Sequence, residues 1–277
     1  MPLGHISDIG VRWTVEDPER LATAIRLRAV RMIAPQGLGY LGQALSSAEQ
    51  VAALFATMSP GRDRLVCSPG HYVIAIFAAA AELGLLTEEE AASYGKDGSP
   101  IEAIGTERSP VADYVCGSLG QGLSAAVGFA VSDRLRGLHR RTFAMVSDGE
   151  LEEGQVWEAA MFAAHHALSR LTVLVDANNS QVDGPVDAIT TIEPVVAKWA
   201  AFGWDAAEAD GHDMAAVLES LKGDGERPVV RIYRTSTSHG LHCLPADADG
   251  HFIKLPPWLA ARAEAELTER LGRDLDS

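Results

Sequence analysis

The chain has 277 residues, 47% hydrophobic and 22% charged, with 23 Lys and Arg against 38 Asp and Glu, a formal charge of −15. That composition can bury a substantial core, while the acidic balance excludes the basic patches that nucleic acid or an anionic membrane surface would need. No apolar run reaches the roughly 18 residues of a membrane span, the Met1-Pro2-Leu3-Gly4-His5 start lacks a basic-then-apolar leader, and three cysteines, Cys67, Cys116 and Cys243, at no metal-ligand spacing point to reduced thiols in a cytoplasmic setting.

Taken in order, Asp17-Pro18 predicts a helix start, with Asp as cap and Pro in the first turn, running to about residue 32. Gln36-Gly37-Leu38-Gly39-Tyr40-Leu41-Gly42 reads as a Gly-rich loop. Ser47-Ala48-Glu49-Gln50 reads as a capping box opening the next helix, with Val51, Leu54 and Phe55 on its apolar face. Residues 72–86 predict an Ala-rich buried helix, Thr87-Glu88-Glu89-Glu90 the cap of a short one, and residues 95–118 a loop. Residues 119–135 predict a helix of small residues, 142–146 a buried strand, 151–168 a helix and 171–175 a second buried strand. Helices near Val195–Phe202 and 214–221, a strand at 229–233 and a charged helix from about 256 to 271 complete the pass. Strands alternating with helices imply an α/β fold, a parallel sheet with helices on both faces, whose ligands sit beyond the C-terminal strand ends. The expectation is a single domain over residues 1–277.

The most informative stretch is Ser147-Asp148-Gly149-Glu150, which directly follows one predicted strand. Asn178, in Asp176-Ala177-Asn178-Asn179-Ser180, follows the next. If these strands are parallel neighbours, Asp148 and Asn178 leave the sheet at the same edge. A carboxylate with an amide oxygen suits a hard cation, Mg²⁺ or Ca²⁺, and Gly149 lets backbone approach a phosphate.

Ser147-Asp148-Gly149-Glu150-Leu151-Glu152-Glu153-Gly154-Gln155-Val156-Trp157-Glu158-Ala159-Ala160 resembles the thiamine diphosphate motif of transketolases, with Ser147 where that motif usually has Gly. Asp176–Gly184 resembles its far end, Gly117-Ser118-Leu119-Gly120-Gln121-Gly122-Leu123 a cofactor-side loop, and Arg62–His71 a further transketolase segment. The resemblance spans roughly residues 20–265. It implies the thiamine diphosphate-binding fold and a metal held by Asp148, Asn178 and the Ser180 carbonyl. It implies Gly149, His71 and His251 at the diphosphate, Gly117 and Leu119 against the aminopyrimidine, and Glu153 near a subunit interface that links two cofactor sites. Two family histidines are missing. Tyr40 stands in Leu38-Gly39-Tyr40-Leu41-Gly42 where one is expected, and Ile101–Arg108 contains no histidine for the other. Both face the donor ketose in the family, so the resemblance implies a kept cofactor site and an altered substrate pocket in which Tyr40 is a candidate catalytic residue. His165-His166 reads as a packing or surface pair.

The family's activating glutamate lies in a pyrimidine-binding domain that has no counterpart after Val229. The resemblance therefore implies a separate partner subunit carrying that domain and glutamate, in a heterotetramer of two of each. The expected activity is two-carbon ketol transfer from a ketose phosphate to an aldehyde. Two alternatives stay open: acyl or two-carbon transfer from pyruvate or another 2-oxo acid, and a non-catalytic cofactor- or partner-binding subunit.

Overall fold

The computed structural model describes residues 4–5, 12–223 and 225–273. The Met1-Pro2-Leu3 start and the last residues of the expected 1–277 domain lie outside them. Asp17 caps α1 (Pro18–Ile33), its side chain accepting from the Arg20 N–H at 2.9 Å, with Pro in the first turn. Then follow β1 (Leu38–Gly39), α2 (Leu41–Thr57), β2 (Arg64–Pro69), α3 (Val73–Glu82), α4 (Glu88–Ala91), β3 (Tyr114–Cys116) and α5 (Gly122–Leu135). The second half adds β4 (Thr142–Ser147), α6 (Gly154–His165), β5 (Leu171–Ala177), α7 (Val186–Ile189), α8 (Val195–Phe202), β6 (Asp205–Asp210), α9 (Met214–Ser220), β7 (Val229–Arg234), β8 (Ile253–Lys254) and α10 (Pro257–Arg273).

Six strands form a parallel sheet in the order β3-β2-β4-β5-β7-β6, so the α/β expectation holds. Alternate residues along each strand feed two cores, as the period of two requires. Leu65, Cys67, Phe143, Met145 and Leu174 pack under α1, α2, α3 and α9, while Val66, Ala144, Val146, Val173 and Val175 pack under α5, α6 and α8. Each fully buried aliphatic side chain of this kind stabilises the fold by about 1.5–3 kcal/mol. Among the described residues no helix is long and apolar enough to cross a membrane.

Three boundaries depart from the sequence reading. Ser47 does not open a helix: α2 begins at Leu41, and the Ser47 hydroxyl bonds back to the Gln43 carbonyl at 2.6 Å inside it. The Gly-rich stretch is not all loop: it holds the short strand β1 and the first two residues of α2, where Gly42 supplies close packing rather than loop freedom. A Cβ there would run into the Gly250 carbonyl. Residues 149–152 form a 3-10 turn, so the following helix starts only at Gly154, and α5 starts at Gly122. Strands β2, β3 and β6 escaped the periodicity reading. In β6, Asp205-Ala206-Ala207-Glu208-Ala209-Asp210 has no β-branched residue and is held as an edge strand by pairing with β7.

Candidate active site at the C-terminal edge of the sheet

β4 and β5 are parallel neighbours with Ser147 opposite Asp176, so Asp148 and Asn178 leave the sheet side by side. The Asp148 carboxylate is 3% exposed and accepts backbone N–H groups from Gly149 (2.8 Å) and Asn179 (2.6 Å). Burial, and then the charge of Asp176, push its carboxyl up to about 7 against the pull of those N–H bonds. A cation at this position would relieve that cost.

Asn178 is oriented by its nitrogen. Nδ2 donates to Asp176 Oδ2 (2.8 Å) and to the Tyr72 hydroxyl (3.0 Å), while Oδ1 accepts from the Ser180 N–H (2.9 Å). The amide oxygen is therefore the atom on the Asn179–Ser180 side, as a hard-cation ligand requires. Asp176 is fully buried and also accepts from Ser46, Gln50 and Thr235. This carboxylate was not singled out from sequence. The available signal was a lone Asp closing the apolar run Leu171–Ala177.

The two-stranded antiparallel sheet pairs Leu38 with Lys254 and Gly39 with Ile253. Tyr40 directly follows β1, and His251 and Phe252 directly precede β8, so this small sheet brings distant segments together. His71, on the 3-10 turn after β2, completes the cluster. Ring centroids lie 5.2 Å apart for Tyr40 and His71, 5.6 Å for Tyr40 and His251, and 5.0 Å for His71 and His251. Phe252, unremarked in the sequence, meets Tyr40 edge-on at 5.0 Å. Burial, then the neighbouring His251, hold the His71 imidazole down to about 3. Burial also lowers His251, opposed by a hydrogen bond with the Ser180 backbone. Both shifts favour the neutral imidazole, which can serve as a donor to an anion through its N–H. Gln43 Nε2 contacts His251 Nδ1 at 3.2 Å.

On the other side, Glu150 Oε1 accepts from Ser68 Oγ (2.5 Å) and from the Gly120 N–H (2.6 Å). One buried carboxylate thus ties the strand leading to His71 to the loop carrying Gly117 and Leu119. Gly117 is exposed and Leu119 half-buried. Glu153 is exposed at the N-terminal end of α6, and His165 and His166 sit at that helix's far end, where His166 meets Phe162 with centroids 4.3 Å apart.

The residues present fit a divalent metal and a diphosphate. Oxygen donors from Asp148 and Asn178 face one edge, the backbone at Gly149 carries no side chain, and the His71 and His251 imidazoles offer N–H donors to an anion.

Residues 18–255 match the family model described as transketolase, thiamine diphosphate binding domain. The chain is 37% identical over 254 residues to a transketolase family protein of Sinorhizobium fredii, covering 87% of this chain and 91% of that one. It is 35% identical over 265 residues to the 6-deoxy-6-sulfo-D-fructose transketolase subunit SqwG of a Clostridium species, covering 90% of this chain and 96% of the relative. Among solved structures, the transketolase of Leishmania mexicana superposes with a TM-score of 0.82 at 25% identity, covering 92% of this chain and 42% of that one. The chain spans less than half the length of that enzyme and of the Campylobacter jejuni transketolase, which shares the fold at a TM-score of 0.82. By sequence and by fold, the chain belongs to the transketolase family and carries its thiamine diphosphate-binding domain.

Proposed function

We propose that this chain is the diphosphate-binding subunit of a two-subunit transketolase that moves a two-carbon ketol unit from a ketose, or ketose phosphate, to an aldehyde. The observation that carries this reading is the pairing of an intact cation edge, Asp148 with Asn178, with near full-length coverage of relatives named as transketolase subunits. One is SqwG. Another, from Phocaeicola vulgatus, is an apulose-4-phosphate transketolase subunit, 28% identical with 96% of it covered. The whole of residues 1–277 would then act as one diphosphate-side domain. Its partner would bring the pyrimidine-binding domain and its glutamate, in a heterotetramer of two of each.

In this reading Asp148, the Asn178 amide oxygen and the Ser180 carbonyl hold Mg²⁺ or Ca²⁺. Gly149, His71 and His251 hold the diphosphate, and Gly117 and Leu119 lie against the aminopyrimidine. When bound, thiamine diphosphate supplies the nucleophilic carbon and the sink for the electron pair left as the donor's carbon–carbon bond breaks. The chain's own residues bind, orient and exclude water. Tyr40 can donate a hydrogen bond to a donor oxygen, but burial raises its pKa above the ordinary phenol value, so it moves no proton near neutrality. Exposed Met161 (55%) and Phe162 (46%) on α6, the helix that Glu153 precedes, support an interface with a partner on that face. A reducing, cytoplasmic setting suits three free thiols.

A second reading, transfer from pyruvate or another 2-oxo acid, is favoured by Tyr40 replacing a hydroxyl-reading histidine. The test is to purify the chain with its partner, add thiamine diphosphate and Mg²⁺, and offer xylulose 5-phosphate, fructose 6-phosphate, hydroxypyruvate and pyruvate. Turnover of a ketose phosphate supports the first reading, and reaction with pyruvate alone supports the second. In calorimetry, Asp148→Ala is expected to abolish Mg²⁺-dependent cofactor binding with the fold intact. Unchanged affinity would remove the metal assignment.

A further inference from the structure

Two hydrogen-bonded paths run side by side between α2 and the segment after β7. The inner path passes through Asp176, whose Oδ1 accepts from Gln50 Nε2 (2.7 Å) and from Thr235 Oγ1 (2.7 Å). The outer path uses the neighbouring residue at each end. Glu49 Oε2 meets His212 Nδ1 at 3.2 Å, and His212 Nε2 accepts the Ser236 backbone N–H at 2.9 Å. Because an N–H points at Nε2, that nitrogen carries the lone pair, and the imidazole proton sits on Nδ1, facing Glu49.

The outer path is anchored on both sides. Arg26 on α1 donates to Glu49 Oε2 (2.5 Å) and twice to the Leu45 carbonyl (3.1 and 2.9 Å). Arg26 and Glu49 are almost fully buried, so each needs the other. His239 lies flat on His212, with centroids 3.6 Å apart and planes within 8°. Its Nε2 stands 3.9 Å from Glu49 Oε1. Two contacts thus hold the start of the segment that ends at His251, one through Ser236 and one through His239.

Glu49, His212 and His239 offer ligand atoms within 4.8 Å of one another, a spacing a metal could use. The hydrogen-bond directions oppose it. A metal on His212 Nδ1 would leave that ring's proton on Nε2, against the Ser236 N–H, and Arg26 already occupies the Glu49 oxygen.

We propose that His212 is a positioning residue for the cofactor site. With Glu49 it sets the separation between α2 and the segment after β7. That separation fixes the donors around Asp176, the Asn178 amide that Asp176 orients, and the loop that carries His251. The proposal rests on the cofactor reading for one of its two readouts only.

The experiment compares the full-length chain with His212→Ala, His212→Gln and His212→Asn. Hydrogen exchange is followed over residues 235–252, and thiamine diphosphate is titrated in the presence of Mg²⁺. His212→Ala is expected to speed exchange in that segment and to weaken cofactor binding by about tenfold each, the weight of one hydrogen bond, with exchange elsewhere unchanged. His212→Gln, whose amide can donate to Glu49 and accept from Ser236, should stay close to wild type. His212→Asn is too short to span both partners and should behave like His212→Ala, and it serves if the alanine variant does not fold. Wild-type exchange in His212→Ala, or a glutamine variant as impaired as the alanine one, would overturn the proposal. If the wild-type chain takes up no thiamine diphosphate with or without its partner, the cofactor reading fails, and the exchange comparison still decides the role of His212.

Discussion

Asn178 Nδ2 donates to Asp176 Oδ2 at 2.8 Å, so the carboxylate that ends β5 fixes which atom of the amide is left for a cation. Asp176 is fully buried and gathers five donors: Ser46 Oγ (2.5 Å), Gln50 Nε2 (2.7 Å), Tyr72 OH (2.8 Å), Asn178 Nδ2 and Thr235 Oγ1 (2.7 Å). They come from α2, the turn after β2, the end of β5 and the segment after β7. One side chain therefore registers four parts of the chain against each other.

Replacing one acceptor oxygen of this carboxylate by an NH₂ group would oppose a donor to a donor. Asp176→Asn is therefore expected to destabilise the fold by about 3 kcal/mol, the scale for breaking one side of a buried charged network. It should also weaken Mg²⁺-dependent cofactor binding by more than tenfold, although Asp176 is not a proposed ligand. Urea unfolding and calorimetry read the two effects. A variant matching wild type in both would show that Asn178 is oriented by something else.

The sheet edge was legible because Asp148 and Asn178 each follow an apolar run long enough to be a buried strand, and parallel pairing of such runs has few arrangements. Asp176 was not, because its role depends on donors from segments about 60 to 130 residues away in sequence, at Thr235 and at Ser46 and Gln50. The same holds for Phe252 beside Tyr40 and for Glu150 between Ser68 and Gly120. The α2 boundary was misread for a local reason. A Ser–x–x–Gln box scores as a helix start, and nothing local reveals that Gly42 sits against Gly250 and continues the helix upstream.

Gly42 tests that close approach. A Cβ on it would strike the Gly250 carbonyl and come within 3.1 Å of Thr237 Cβ, both on the segment that carries His251. Gly42→Ala is expected to displace that segment, lowering thermal stability and reducing cofactor affinity together. Gly128→Ala on α5 is the control, because its Cβ meets nothing within 4 Å. It should be neutral or stabilising by up to about 1 kcal/mol. Equal behaviour of the two variants in a thermal melt would contradict the packing described.

Between pH 7 and 5 buried histidines and buried carboxyls pull the stability of the chain in opposite directions, and a histidine variant separates them. Burial, together with His251, holds His71 down to about 3, and burial, Arg26 and His212 hold His239 down to about 4, both from an ordinary value of 6.5. Below pH 6.5 the unfolded chain takes up protons that the folded one refuses. Their contribution to stability is therefore complete above pH 6.5 and is lost as pH falls, toward about 4 for His239 and about 3 for His71. Each such histidine steepens the dependence by up to about 1.4 kcal/mol per pH unit, less for His239, whose side chain is 29% exposed. Glu49 adds nothing in this range. Burial pushes its carboxyl up, but Arg26 and His212 outweigh burial and hold it at about 2, so its share is lost only below about 4.5. Asp148 and Glu150 act in the opposite sense: burial holds both carboxyls up at about 7, so below pH 7 the folded chain takes up protons that the unfolded chain accepts only near pH 4, and their share of stability grows as pH falls. In urea unfolding at pH 7, 6 and 5, His71→Gln, which removes one depressed histidine, should gain stability relative to wild type at each step down in pH, by up to about 1.4 kcal/mol per unit. A gap between His71→Gln and wild type that stays constant from pH 7 to 5 would mean that the His71 ring protonates freely in the folded chain, and with that its dry setting at the diphosphate end of the site would be lost.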